Sequence, residues 1–151
     1  MKMSRITWVL IPAVAVAWAA SAGAQKPEKP DPQTAIGCMR SINTAEVTYD
    51  RTYHKGYSPT LAALRVSGKG ERPTAAAAGL LNDALTSGRM AGYVFVYKSG
   101  APDKDGRINT YTVVARPEKW QKGLLSILTD QTGKIRGTRE NREPTAQDEL
   151  L

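Results

Sequence analysis

Residues 92–97 read Gly92-Tyr93-Val94-Phe95-Val96-Tyr97, and this stretch decides the fold. Tyr93, Phe95 and Tyr97 fall on one face and Val94 and Val96 on the other, the period of two that marks a β-strand. Upstream the period is that of a helix. Asp31-Pro32-Gln33-Thr34 supplies helix-start residues, and Ala35, Cys38, Ile42, Ala45 and Tyr49 then recur at steps of three and four, flanked by Met39 and Tyr53. This spacing predicts a helix over residues 34–53 with one apolar face, ended by Gly56-Tyr57-Ser58-Pro59. Leu61 and Leu64 open a short packed segment, and residues 67–73, rich in Gly and charge, form a loop. A second helix is expected to run from a Thr74 cap to Gly88, with Leu80, Leu81, Ala84 and Leu85 as its buried stripe and Gly79 as its weak point. Downstream of Tyr97, residues 98–107 form a connection rich in Gly, Pro and Asp. A second strand over residues 108–115 follows, stopped by Pro117, and a third over residues 124–129 turns through Asp130-Gln131-Thr132-Gly133 into Lys134-Ile135-Arg136. Helix first and antiparallel strands later predicts an α+β domain: an N-terminal helix packed on a small antiparallel sheet of about four strands, with a second short helix.

The N-terminus carries an export pattern. Lys2 and Arg5 precede an apolar stretch over residues 6–20, and Ser21-Ala22-Gly23-Ala24 closes it before Gln25. That is the layout of a secretory signal peptide over residues 1–24, with Ala22 and Ala24 as the small residues and the cut expected between Ala24 and Gln25. The 15 apolar residues would rise only about 23 Å as a helix, against a bilayer core of about 30 Å. The expectation is therefore an exported protein, in the periplasm, at the cell surface or outside the cell, with no stable membrane span once the signal is removed. If residues 6–24 are retained, they form a signal anchor instead. Residues 25–33 read as a Pro-rich charged linker, residues 34–140 as the globular domain and residues 141–151 as a tail without order.

The ordered phrases INTAEVTY (residues 42–49), GYSPTLAAL (56–64), AGLLNDALTSGRMAGYVFVY (78–97), TYTVVARP (110–117) and SILTDQTGKIR (126–136) resemble the globular part of type IV pilins and type II secretion pseudopilins. The resemblance covers residues 34–136. It implies one helix laid on a small antiparallel sheet, with other pilin-like subunits or secretion-machine components as partners. Two features of those families are missing. Prepilins are cut ahead of a hydrophobic helix that stays in the mature protein, with a glutamate five residues after the cut, whereas here the expected cut is followed by Gln25-Lys26-Pro27-Glu28. The disulfide loop of many pilins is also absent, since Cys38 is the only cysteine.

Composition bounds the rest. The first 24 residues hold two basic and no acidic side chains, so the remaining 127 carry a net charge of +5, enough chain for one domain with its own core. Residues 25–136 hold 17 basic and 10 acidic side chains, residues 137–151 two and four: a basic body with an acidic tail. A basic exported domain is suited to an anionic polymer such as DNA or polysaccharide, with Lys98, Lys104 and Arg107 as the basic contact surface.

Catalytic chemistry finds little support. Cys38 and His54 stand 16 residues apart on one predicted helix, roughly 24 Å along its axis, out of reach of each other. Cys38 falls on the apolar face as a small buried thiol, and His54 at the helix end reads as a cation near the C-terminal dipole. Asp103-Lys104-Asp105-Gly106 starts like a calcium loop, but its glycine comes at the fourth position and Val114 stands where a bidentate glutamate is needed. No metal, cofactor or catalytic residue is assigned, and the chain is expected not to be an enzyme. Glu46 and Asp50, four apart on the helix, form a carboxylate pair expected to face Arg51 and water. The six tyrosines offer stacking surfaces for sugars or single-stranded nucleic acid, but those on the helix and first strand are expected in the core.

Overall fold

The computed structural model of the chain describes residues 28–151. The expected signal segment and its Ala24–Gln25 cut lie outside the described residues.

Helix α1 spans Pro32–Tyr53. Asp31 starts it: its carboxylate accepts hydrogen bonds from the Gln33 amide at 3.0 Å and the Thr34 hydroxyl at 2.6 Å, and Pro32 takes the first turn, where no amide is needed. These bonds hold the Asp31 carboxyl below its ordinary pKa. The predicted stripe is buried in full, joined by Ile36, Met39 and Glu46. His54 closes the helix in the left-handed region at φ 54°.

Six strands follow as an antiparallel meander in sequence order: β1 (Arg89–Met90), β2 (Tyr93–Ser99), β3 (Tyr111–Pro117), β4 (Ser126–Asp130), β5 (Ile135–Thr138) and β6 (Glu149–Leu150). Four are the strands expected from the period of two; β1 and β6 are two-residue edges. Ala91 and Gly92 turn β1 into β2, both at positive φ, as a two-residue hairpin requires. A Cβ on Gly92 would lie 2.6 Å from the Glu28 carbonyl oxygen and 2.7 Å from Pro30, so glycine also makes room for the chain entering α1. Register aligns Phe95, Ala115, Ile127 and Gly137 in one row and Tyr97, Val113, Thr129 and Ile135 in the next. Most of these side chains join α1 in the core, and α1 packs over β4 and β5. The described residues thus form an α+β domain with one long helix on a six-stranded antiparallel sheet.

Three expectations need correction. The second helix shrinks to α2, Asp83–Thr86, capped by Asn82 Oδ1 on the Leu85 amide at 2.9 Å. Upstream of it, the amides of Ala78, Gly79, Leu80 and Leu81 donate to the carbonyls of Ala63, Arg65 and Leu64, so the backbone bonds that a helix would use go to the 3-10 turn Leu61–Leu64. Strand β3 begins at Tyr111 because Ile108 is taken by the loop after α1: Tyr57 donates to its carbonyl and it donates to Lys55. The last residues are ordered. Leu151 donates to the Ile135 carbonyl at 2.9 Å, Arg136 to the Asp148 carbonyl at 2.9 Å, and Arg142 grips both carboxylate oxygens of Asp148 at 2.6 and 2.9 Å. Polar pairing, not apolar content, fixes this segment, which is why a composition-based reading leaves it without structure.

Candidate functional site

The C-terminal end of α1, the loop after it and the 3-10 turn build the most articulated polar region of the molecule. Arg107 reaches back from the β2–β3 connection to donate to the His54 carbonyl and to Asp50 Oδ1, each at 2.9 Å. Its guanidinium, not the His54 imidazole, is therefore the cation that meets the helix dipole. Asp50 Oδ1 also accepts from the Gly56 amide at 3.0 Å. Gly56 sits at φ 76°, and a Cβ there would fall 2.1 Å from the Ile108 carbonyl oxygen, so the loop can cross Ile108 only with glycine at this point.

Below the loop lies Glu46, wholly buried in the α1 stripe. Its neighbours are Ser58 and Tyr97, not Arg51 and water. Oε2 accepts from the Ser58 amide at 2.8 Å, Oε1 pairs with Ser58 Oγ at 2.6 Å, and the Tyr97 hydroxyl donates to the Ser58 carbonyl at 2.8 Å. Ser58 Oγ has one proton and three acceptors in reach, Glu46 Oε1, the Thr60 carbonyl at 3.0 Å and the Tyr97 hydroxyl oxygen at 3.3 Å. A protonated Glu46 can give its proton to Ser58 Oγ while Ser58 gives its own to Thr60, and a charged Glu46 can accept the Ser58 proton instead. Burial raises the Glu46 carboxyl above the usual range, against the smaller lowering by the Ser58 and Tyr97 hydrogen bonds. Burial chiefly, with the Glu46 charge second, also raises the Tyr97 and Tyr111 hydroxyls far above the ordinary phenol. The tyrosines serve as core: Tyr49, Tyr93 and Tyr111 are buried, and Tyr111 lies edge-on to Tyr57 and stacked with Tyr97.

The anchored loop forms one wall of an open cleft of about 660 Å³, lined by Tyr57 and Pro59 on this side, by Ala62 and Ala63 of the 3-10 turn opposite, and by Ala76 and Ile108. Tyr49 braces the far wall through its hydroxyl, which donates to the Ala75 carbonyl at 3.0 Å. Lys55 and Arg65 are exposed at the rim, neither in an ion pair among the described residues, and no acidic side chain lines the cleft. A second groove of about 740 Å³ runs between α1 and residues 80–90, lined mostly by small and apolar residues; there Cys38 Sγ meets Met90 Sδ at 3.6 Å, and burial raises the thiol pKa.

Of the three residues expected as a basic contact surface, Lys98 is exposed on the sheet face away from α1, Lys104 is exposed at a loop tip, and Arg107 is partly buried against α1. The Asp103 carboxylate is used within its own loop, accepting from the Asp105 and Arg107 amides and from Asn109. Among the described residues, no group of three or more His, Cys, Asp or Glu side chains is placed to hold a metal ion. Sequence reading placed Glu46 toward Arg51 and water, and missed its bonds to Ser58 as well as the cleft. The available signal was position: Glu46 stands three residues before Tyr49 and four after Ile42, inside the apolar stripe. Comparison with family models, with curated proteins and with solved structures finds no match to this chain.

Proposed function

We propose that the protein is an exported, non-enzymatic pilin-like domain that works through its surface, as an accessory or binding subunit related to type IV pilins and pseudopilins. The observation that carries this reading is the single layer of α1 on a meander sheet, in the order in which the resembling phrases occur. The interior polar groups support it further. Glu46, Ser58 and Tyr97 hold backbone in place beneath the surface, and Asp50 and Arg107 close a helix. α1 keeps Cys38 and His54 at opposite ends. What is left for a partner is the outer surface, chiefly the cleft with its two cations.

The test is the intact mass and N-terminal residue of the protein recovered from its native host, with its cell fraction. A chain beginning at Gln25 outside the cytoplasm supports an exported domain. An intact N-terminus in the membrane fraction replaces it with an anchored pilin-like subunit. Recovery in the cytosol overturns export altogether.

A further inference from the structure

Within residues 28–151 the longest stretch without an acidic residue is 51–70, which holds Arg51, His54, Lys55, Arg65 and Lys69. The fold bends this stretch into the loop after α1 and the 3-10 turn, so most of the lining of the 660 Å³ cleft comes from it. Its positive charge is not used inside the molecule. Asp50, just ahead of the stretch, is committed to Arg107 and the Gly56 amide, and Lys55 and Arg65 have no ion pair among the described residues. Thr60 Oγ1 accepts from the Ala63 amide at 3.3 Å, while the Thr60 and Tyr57 hydroxyl protons find no acceptor among the described residues. The cleft therefore gathers an ammonium, a guanidinium and two hydroxyl donors, with no carboxylate in its lining. We propose that it binds a carboxylate-bearing stretch of an acidic polysaccharide. Lys55 and Arg65 meet the carboxylates, and Tyr57 and Pro59 meet the C–H faces of the sugar rings. The inference rests on the reading of an exported, surface-acting domain and deepens it by naming the ligand class.

The lining selects among anionic polymers. An acidic polysaccharide carries carboxylates, hydroxyls and apolar ring faces on successive units, the complement of cations and hydroxyl donors set among Tyr57, Pro59, Ile108 and alanines. Tyr111 meets the Tyr57 ring at 72°, an edge contact that leaves at least one face of Tyr57 uncovered by it. Nucleic acid asks for more: a cation for each of several phosphates and a platform for successive bases, against two cations and one half-buried ring. An extended acidic peptide would need free backbone groups, but the amides of Tyr57, Ala63 and Ile108 and the carbonyls of Ala75 and Ile108 are already paired within the fold. The walls are tied down by the Glu46–Ser58, Tyr57–Ile108 and Tyr49–Ala75 bonds, so a stiff sugar chain meets a preformed surface and little ordering opposes binding.

Titration of the purified protein with a short oligogalacturonate, followed by amide NMR shifts, is expected to move residues 55–65 and 106–108 and to weaken with added salt. K55E/R65E should bind about tenfold more weakly or less, with unchanged melting, since both side chains are exposed. K98E/K122E alters net charge equally at exposed lysines outside the cleft and should bind within about twofold of the unaltered chain. The methyl ester of the same oligosaccharide keeps the ring faces, loses the charge, and should bind about tenfold more weakly. The proposal is overturned by an absence of shifts, by shifts confined to residues outside the cleft, by equal losses in the two double variants, or by equal binding of the ester. Tighter binding of single-stranded DNA or of polyglutamate at matched charge also overturns it, because the cleft then serves another polymer. An exported chain that does not bind oligogalacturonate keeps the export reading, whereas a cytosolic chain that binds it overturns export alone.

Discussion

Glu46 sets the terms at the residue scale. A buried carboxylate is costly when charged, and here that burial outweighs the hydrogen bonds from Ser58 and Tyr97, which favour the charged form. The folded-state pKa is raised, so the stabilisation linked to this group is complete below the ordinary glutamate value and is lost as pH rises through the folded value. Glu46→Gln keeps a donor toward Ser58 Oγ and an acceptor toward the Ser58 amide without a titrating group. Its melting temperature should match the unaltered protein near pH 4 and exceed it at pH 8; equal melting curves at both pH values would remove the protonated-acid account. Glu46→Ala leaves the Ser58 amide and hydroxyl short of a buried partner and should cost about 2–4 kcal/mol in a denaturant titration. An isolated reading of the helix sees a charged residue and assigns it to solvent. Only its place in the stripe of Ile42, Ala45 and Tyr49 signals burial, and the partners that stabilise it, Ser58 and Tyr97, come from segments whose approach the local sequence does not encode.

Among the elements, legibility follows the source of the hydrogen bonds. α1 closes its hydrogen bonds within itself and β2 alternates strictly between faces, so the spacing of residues 35–49 and 93–97 is enough to find these two, while β3 to β5 are marked by apolar runs between turn residues. Residues 74–82 have leucine spacing compatible with a helix, but Thr74 and Ala77 bond to each other and the amides of residues 78–81 are spent on residues 63–65, a long-range pairing that no local period announces. The same holds at the end of α1, where the loop is fixed by its crossing of Ile108. Gly56→Ala places a methyl group 2.1 Å from a backbone oxygen at φ 76° and should cost roughly 2–4 kcal/mol, with loss of amide protection at Tyr57 and Ile108. A value below about 0.5 kcal/mol would mean that the loop is not held as described. The C-terminal segment depends on Arg142, which holds the Asp148 carboxyl well below the usual carboxylate range. Asp148 therefore stabilises the segment above the ordinary aspartate value, and this is lost as pH falls through its depressed folded value. Arg142→Ala should release residues 139–151 to fast hydrogen exchange while β2, β3 and β4 keep their protection. If protection in β6 is unchanged, the Arg142–Asp148 pair is not what orders the tail.

At the scale of the whole molecule the question is where the folding unit begins. The core formed by α1, the 3-10 turn, α2 and the sheet draws on residues from Ala35 onward, and the first bonds that tie the chain to it lie just ahead. Asp31 caps α1 with its side chain and donates its amide to the Ala91 carbonyl at 2.9 Å, and Pro30 packs where only glycine at position 92 leaves room. A chain starting at Gln25 retains all of these and should melt within about 2 °C of the full-length chain, as one cooperative transition. A chain starting at Gln33 loses the cap, the Asp31–Ala91 bond and the Pro30 contact. The cap alone is worth about 1 kcal/mol, so the melting temperature should drop by roughly 3–8 °C while the transition stays cooperative. The outcome that would sink this division is a chain starting at Gln25 that fails to fold, for then residues 1–24 would belong to the structural unit, and an export signal that is cut away could not be their role.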